Sequence, residues 1–228
     1  MLTTQQKSND QPNLLRRKLF QGAYAGVGVL MAVQAKTALG CQCVPSPSAQ
    51  ISGNTSPRPG PGTTCVGGRS PGFWKVPQHF DQWVHSNAIP ATFTVGVSVC
   101  TKGMQGLTVD NISMPGTLLT SIFTGASNVG VWQVLAFPQS VNNGELLRHL
   151  SAAWLNAGYP WPDGTYPLTQ VQVISMWTQL NSSSFYCPVG MTCAPTKAWD
   201  RNQVIGYITS LYDINAGTLD DPDLCKKH

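Results

Sequence analysis

Four aromatic residues are concentrated in the segment from Cys65 to Trp83, here called the aromatic segment. They are Phe73, Trp74, Phe80 and Trp83, and a segment rich in Pro, Gly and Ser precedes them. Large aromatic side chains bury much apolar area, so such a cluster predicts a segment that docks onto a core. We therefore expect the folded domain to begin near Cys65.

Charged residues make up 11% of the 228 residues, whereas an ordinary soluble domain has about 25%. Gly (22) and Pro (17) are abundant, which favours a loop-rich exported protein. The net charge of +4 arises in residues 1–40, because the rest contains nine basic and nine acidic residues. A domain without net positive charge lacks the attraction that dominates nucleic-acid affinity, so no nucleic-acid partner is predicted.

Residues 1–40 are predicted to be a signal peptide. An uncharged run rich in Gly, Ala and Val at 22–35 follows basic residues and is shorter than the roughly 20 apolar residues of a membrane span. Arg16 and Arg17, followed by one residue and two apolar ones, resemble the bacterial twin-arginine export signal. The alternative is a general secretory signal with incidental arginines. Either route predicts a periplasmic, surface-attached or secreted protein, which contacts a membrane only during export or through a lipid on Cys41.

Cleavage is predicted after Ala35 or after Gly40. The second site would place Cys41 at the new N-terminus, where a lipid could be attached and hold the protein at a membrane. Lipid on Cys41 would leave six of the seven cysteines for three disulfides.

The cysteines are predicted to form disulfides, because thiols tend to oxidise outside the cytoplasm. Their spacing lacks the Cys-x-x-Cys pattern of structural zinc sites. Cys187 and Cys193 could close a small local loop, and the other pairings stay open. The disulfide candidates are Cys43, Cys65, Cys100, Cys187, Cys193 and Cys225.

Residues 41–64 are predicted to be a linker, because Pro, Ser, Gly and Thr bury too little apolar area to order the chain. Residues 65–228 are predicted to form a helical extracytoplasmic domain. Alternating apolar residues at 91–100 indicate a strand, with 107–112 as its only obvious partner. The expected fold is mainly α, a compact disulfide-reinforced helical domain with long loops and at most one short β-hairpin.

Helical patterns dominate after residue 115. Short helices are predicted at 117–123 and 129–137, and a central helix at 143–158 that Gly158 and Pro160 end. Thr169 and Asp200 are predicted to cap the two helices that follow.

Three motifs carry a resemblance to a known family. They are Gly72-Phe-Trp-Lys75 with His79, the helix Arg148-His-Leu-Ser-Ala-Ala-Trp-Leu-Asn-Ala157, and Tyr166-Pro-Leu-Thr169 before Val171 and Val173. This pattern, over about residues 65–180, resembles a recurrent domain of bacterial exported and surface proteins that has no established activity. Members often place Asn-His directly after the lysine, where this chain has three other residues. The resemblance implies a module with an interaction or structural role.

The candidate catalytic residues are His79, Asp81 and His149, with His85 nearby in sequence. Imidazole and carboxylate groups suit acid–base chemistry, so an exported hydrolase is one hypothesis. The spacing of His79, Asp81 and His85 is not a recognised ligand pattern, and neither a metal nor a cofactor is predicted.

The preferred hypothesis is structural: polar residues of the central helix hydrogen-bond the loop at 73–75 and hold the aromatic segment in place. The residues of this predicted latch are Phe73, Trp74, Lys75, Arg148, His149 and Asn156.

Glycan binding is a third hypothesis. It requires at least two tryptophans to form an exposed coplanar platform, whereas a helical core could equally bury them. The candidates are Trp83, Trp132, Trp161 and Trp199. The sequence therefore predicts an exported structural or binding module, whose partner is an unidentified protein or glycan at the cell surface.

Overall fold

The computed structural model describes residues 46–53, 67–94, 107–161 and 166–212. The chain divides into a unit of residues Met1–Gly40 and a unit of residues Cys41–His228, and the described residues belong to the second. The predicted signal peptide lies outside the described residues, as do five of the cysteines. Those cysteines are Cys41, Cys43, Cys65, Cys100 and Cys225.

Over the residues that the structure describes, the fold is mainly helical, as predicted, with one two-stranded antiparallel sheet. The α-helices of the described ranges are α1 (Pro47–Ile51), α2 (Pro71–Trp74), α3 (Val131–Ala136), α4 (Gly144–Gly158), α5 (Gln170–Ser183) and α6 (Arg201–Ser210). The 3₁₀-helices span Pro77–Ser86, Val109–Asn111, Leu119–Ser121 and Pro138–Ser140. The strands are β1 (Thr92–Phe93) and β2 (Ile112–Met114).

Helix α4 is the central helix of the core. Its leucines and alanines lie on every side, and a helix that is apolar all round is buried rather than amphipathic. Its polar residues Glu145, Arg148 and His149 lie in its first turns, and the buried Asn156 lies near its end. Helices α2, α3, α5 and α6 all contact α4. The 3₁₀-helix Pro77–Ser86, which carries His79 and Asp81, contacts α4 as well.

The two predicted helix caps are present. The Thr169 hydroxyl accepts a hydrogen bond from the Gln172 amide, and the Asp200 carboxylate accepts one from the Gln203 amide. Both glutamines return a side-chain contact to the cap backbone, which completes a capping box at each helix. Side chains close in sequence thus fix where α5 and α6 begin.

The predicted hairpin is observed in part. Thr92 pairs with Met114 and Phe93 with Ile112, with a register irregularity between the two pairs. The remainder of the predicted first strand lies outside the described residues. Helix α1 occupies part of the predicted linker, where Ile51 is buried. The linker boundaries themselves stay a prediction.

Within the described ranges, no helix has both the length and the apolar character needed to cross a membrane. In the same ranges a disulfide joins Cys187 to Cys193, as predicted, and the two Cα atoms lie 5.9 Å apart.

Candidate functional site

Asn156 joins the aromatic segment to α4. Its side chain is fully buried, and its Oδ1 accepts hydrogen bonds from the Arg69 amide (2.8 Å) and the Trp74 indole (3.1 Å). Its Nδ2 donates to the Arg69 carbonyl at 2.8 Å, and its own carbonyl accepts from the Trp161 indole at 2.9 Å. One amide therefore satisfies backbone and indole groups more than eighty residues earlier in the chain.

Gly68 allows this close approach. A Cβ at this position would lie 2.5 Å from Asn156 Nδ2 and 2.5 Å from the Tyr166 ring. The Gly68 amide also donates to the Leu211 carbonyl at 2.8 Å. The segment around Gly68 is thus held between α4 and the end of the described C-terminal region.

Two buried indoles complete the attachment of the aromatic segment. Trp83 donates to the Trp74 carbonyl at 3.1 Å, and Trp132 donates to the Lys75 carbonyl at 2.9 Å. These carbonyls belong to the end of α2, where helical carbonyls lack partners within the helix. The aromatic segment is therefore fixed by hydrogen bonds as well as by burial.

The structure corrects one part of the predicted latch. Arg148 and His149 contact Glu145 at the start of α4, and His149 also contacts Tyr212, whereas Asn156 binds Arg69 and Trp74 of the aromatic segment. His149 lies seven residues before Asn156, which is about 10 Å along a helix axis. It therefore lies in the first half of α4, about two turns before Asn156.

His149 makes two side-chain hydrogen bonds. Its Nε2 lies 3.1 Å from Glu145 Oε1, and its Nδ1 lies 2.9 Å from the Tyr212 hydroxyl. A carboxylate can only accept, so the neutral ring donates from Nε2 and accepts the Tyr212 proton at Nδ1. Arg148 reaches the other Glu145 oxygen at 3.9 Å. Both ring nitrogens of His149 are thus occupied.

Burial dominates the electrostatics of this cluster. It lowers the pKa of His149, although the Glu145 carboxylate acts in the opposite direction. Burial also raises the pKa of Tyr212, so its hydroxyl stays protonated. The His149 side chain is 13% exposed, whereas Glu145 is 59% exposed. A neutral imidazole beside a carboxylate could act as a base. Here, however, the proton-accepting nitrogen of His149 already accepts the hydrogen bond of the Tyr212 hydroxyl.

The other candidate catalytic residues have different surroundings. The His79 ring stacks on Phe73 at 3.8 Å, and His85 meets the Tyr159 ring edge-on. One Asp81 oxygen, Oδ1, is buried without a hydrogen-bond partner in the described part of the chain. Over the same ranges, no group of three His, Cys, Asp or Glu side chains could hold a metal ion.

The tryptophans proposed as a glycan platform are buried. Trp83 and Trp132 are fully buried, Trp199 is 8% exposed and Trp161 is 9% exposed. Three of the four find internal acceptors for their indole N–H groups, which makes burial favourable. The exposed coplanar surface that the glycan hypothesis required of these residues is not present.

A pocket of about 410 Å³ lies between the end of α5 and the start of α6. We call it the α5–α6 pocket; its lining residues are Leu180, Ser184, Phe185, Asp200, Arg201 and Asn202. Phe185 is 49% exposed, whereas Leu180 is buried and forms apolar lining. Of these residues the sequence indicated a role for Asp200, as a helix cap, whereas an isolated phenylalanine in a loop carries no pattern.

The connection between α5 and α6 is held by three local contacts. Tyr186 and Trp199 exchange two backbone hydrogen bonds of 2.7 and 2.9 Å, and the Cys187–Cys193 disulfide lies just beyond them. Gln179 of α5 accepts the Cys187 amide at 2.9 Å. Phe185 directly precedes Tyr186 in the chain and Asp200 directly follows Trp199, so the two residues flank this bridge.

No family model matches this sequence, and neither a curated protein nor a solved structure shows significant similarity to it.

Proposed function

We propose that this chain is an exported structural or binding module of the bacterial cell envelope or the extracellular space. The supporting observation is that Asn156, buried and fully engaged, ties the aromatic segment to the central helix. The polar side chain of Asn156 therefore stabilises the fold. A domain built in this way suits a role in which it presents a stable surface.

Export is supported by the sequence of residues 1–40 and agrees with the disulfide. The Arg16-Arg17 pair precedes an uncharged run, and the Cys187–Cys193 bond is of the kind that persists outside the cytoplasm. Attachment through a lipid on Cys41 is an option that only cleavage after Gly40 would allow.

An exported hydrolase is the second candidate, favoured by the hydrogen bond between Glu145 and His149. A carboxylate that orients an imidazole is the arrangement of a general base. Here Tyr212 occupies the remaining nitrogen, so substrate would have to displace this hydroxyl. Hydrolysis of ester, peptide or glycoside substrates that disappears in His149→Gln would favour this candidate over the first.

The experiment is to express the full chain in a bacterial host and to measure its location and mature mass. We expect a processed protein outside the cytoplasm, cut after Ala35 or Gly40, with the mass revealing any lipid on Cys41. Replacing both arginines (Arg16→Lys, Arg17→Lys) should retain the unprocessed chain in the cytoplasm, whereas Lys7→Arg should not.

The purified mature protein should then bind saturably to isolated cell-envelope material in a sedimentation assay, without turnover of the hydrolase substrates. A wild-type chain that stays unprocessed in the cytoplasm would contradict the proposal. Saturable binding also distinguishes a module that binds a partner from one with a purely structural role.

A further inference from the structure

We propose that the α5–α6 pocket binds a neutral pyranose ring, as part of a surface glycan. This inference rests on the proposed function, because it names the ligand class of the binding module. The glycan would bind at Phe185 and not at the four tryptophans of the earlier hypothesis, which are buried.

The lining of the pocket has the two chemistries that a sugar ring needs. One face of a pyranose presents C–H groups, which pack against an aromatic ring, and Phe185 is the half-exposed aromatic residue of the pocket. The ring hydroxyls both donate and accept hydrogen bonds. Asp200 accepts, Arg201 donates and Asn202 does both, so the lining complements a polyol.

The charges of the lining favour a neutral ligand. Asp200 and Arg201 are adjacent in sequence and carry opposite charges, so the pocket has no excess of either sign. A phosphate would be attracted by Arg201 and repelled by Asp200. Uncharged hydroxyl groups can bond to both side chains without this conflict.

Local contacts restrain the backbone on both sides of the pocket. Phe185 and Asp200 flank the backbone pair of Tyr186 and Trp199, and the Cys187–Cys193 disulfide restrains the loop beyond it. The capping contact with the Gln203 amide orients Asp200 further. A rigid site loses less conformational entropy on binding, so even a small ligand can be retained.

The size of the pocket agrees with this ligand class. Its volume of about 410 Å³ lies near the lower end of the roughly 300–1,000 Å³ typical of small-molecule sites. A pocket of this size suits one or two sugar rings, with the remainder of a glycan in solvent.

The test uses methyl pyranosides of glucose, galactose, mannose and N-acetylglucosamine at millimolar concentration against the purified mature protein. Saturation-transfer NMR would detect binding, and amide shift mapping would locate it. We expect shifts at residues 180–185 and 200–202 for at least one sugar. An absence of shifts for all four, or shifts confined to other parts of the chain, would overturn the proposal.

Variants separate stacking from general apolar contact. Phe185→Leu keeps an apolar side chain but removes the ring, and should weaken binding about two- to tenfold. Phe185→Trp should preserve or tighten it. Val189→Ala changes another exposed apolar residue, which does not line the pocket, and should have no effect. Equal affinity of Phe185→Leu and the parent protein would overturn the stacking role.

Inorganic phosphate serves as the charged probe, and tighter binding of phosphate than of any pyranoside would overturn the neutral-ligand assignment. Export and saturable envelope binding without pyranoside binding would reject only this pocket assignment. Pyranoside binding by a protein that is never exported would instead reject the proposed function.

Discussion

Asn156 shows how much of a fold can depend on one buried polar side chain. Its amide satisfies both the N–H and the carbonyl of Arg69 as well as the Trp74 indole. A buried polar group that loses its hydrogen-bond partner destabilises the folded state. The network therefore favours the one position of the aromatic segment in which these groups are paired.

Replacing Asn156 by Ala should lower the free energy of unfolding by about 3 kcal/mol, because three polar groups lose their partner in a buried site. Denaturant unfolding, followed by tryptophan fluorescence, measures this loss. The matched control is Asn142→Ala at an exposed position, where about 0.5 kcal/mol or less is expected. Equal losses in the two variants would show that the Asn156 network contributes no special stability.

His149 should make stability depend on pH. Burial holds its pKa below the ordinary value of 6.5, so at mildly acidic pH the unfolded chain binds more protons than the folded chain. This contribution is fully present above pH 6.5 and is lost as the pH falls from 6.5 through the lower folded pKa. The free energy of unfolding should therefore decrease on acidification.

The measurement compares the parent protein with His149→Gln, in which a neutral amide can replace both hydrogen bonds. The parent should lose more stability than the variant between about pH 7.5 and pH 5. An NMR titration, with the His149 signal assigned by its absence from the variant, gives the direction of the pKa shift directly. A shift above 6.5, or the steeper loss in the variant, would contradict the prediction.

Contacts between residues close in sequence could be predicted better than contacts between distant residues. The local contacts predicted from sequence patterns are the caps at Thr169 and Asp200 and the Cys187–Cys193 loop. Glu145, one partner of His149, lies one helical turn away, whereas the other partner, Tyr212, lies 63 residues later and could not be predicted from a local pattern. Phe185 could not be identified from the sequence, because a single aromatic residue in a loop carries no pattern.

Between elements, two helical glycines have opposite surroundings. A Cβ on Gly158 of α4 would lie 2.8 Å from the Ser86 Cα and 2.6 Å from the Gln170 side chain. A Cβ on Gly206 of α6 would meet nothing within 4 Å. Gly158 thus permits close contact of α4 with its neighbours, whereas no such contact explains Gly206.

The substitutions Gly158→Ala and Gly206→Ala should therefore change stability in opposite directions. The first should lower the free energy of unfolding by about 1–3 kcal/mol through overpacking. The second should raise it by up to about 1 kcal/mol, because alanine favours a helix more than glycine. Thermal or denaturant unfolding of the pair measures both signs, and each variant is the control for the other. Stabilisation by Gly158→Ala would show that α4 can move away from Ser86.

The long central helix was predicted better than the short helical segments. Apolar periodicity identified α4 at 143–158, and the observed helix is Gly144–Gly158, because a buried helix repeats its leucines over four turns. The predicted helix at 117–123 is only the 3₁₀ turn Leu119–Ser121. Short segments take their conformation from tertiary contacts, which a local pattern does not contain.

For the whole molecule, we expect the core to form without the described disulfide. All seven tryptophans are buried, and the Asn156 network joins distant segments without sulfur. The Cys187–Cys193 bond closes a loop of sequence separation six between α5 and α6. A protein exported through the twin-arginine route must fold before it reaches an oxidising compartment, and a core of this kind would permit that order.

The double variant Cys187→Ser, Cys193→Ser should therefore remain folded and lose only about 2 kcal/mol, the chain-entropy contribution of so short a loop. Circular dichroism and iodide quenching of tryptophan fluorescence test whether the core persists, and denaturant unfolding measures the loss. Thr192→Ser, which alters the same loop but keeps the disulfide, should unfold like the parent protein. A variant with exposed tryptophans and no cooperative transition would mean that the core needs oxidation to form. That result would favour the general secretory route, in which an unfolded chain crosses the membrane and folds only as its disulfide closes.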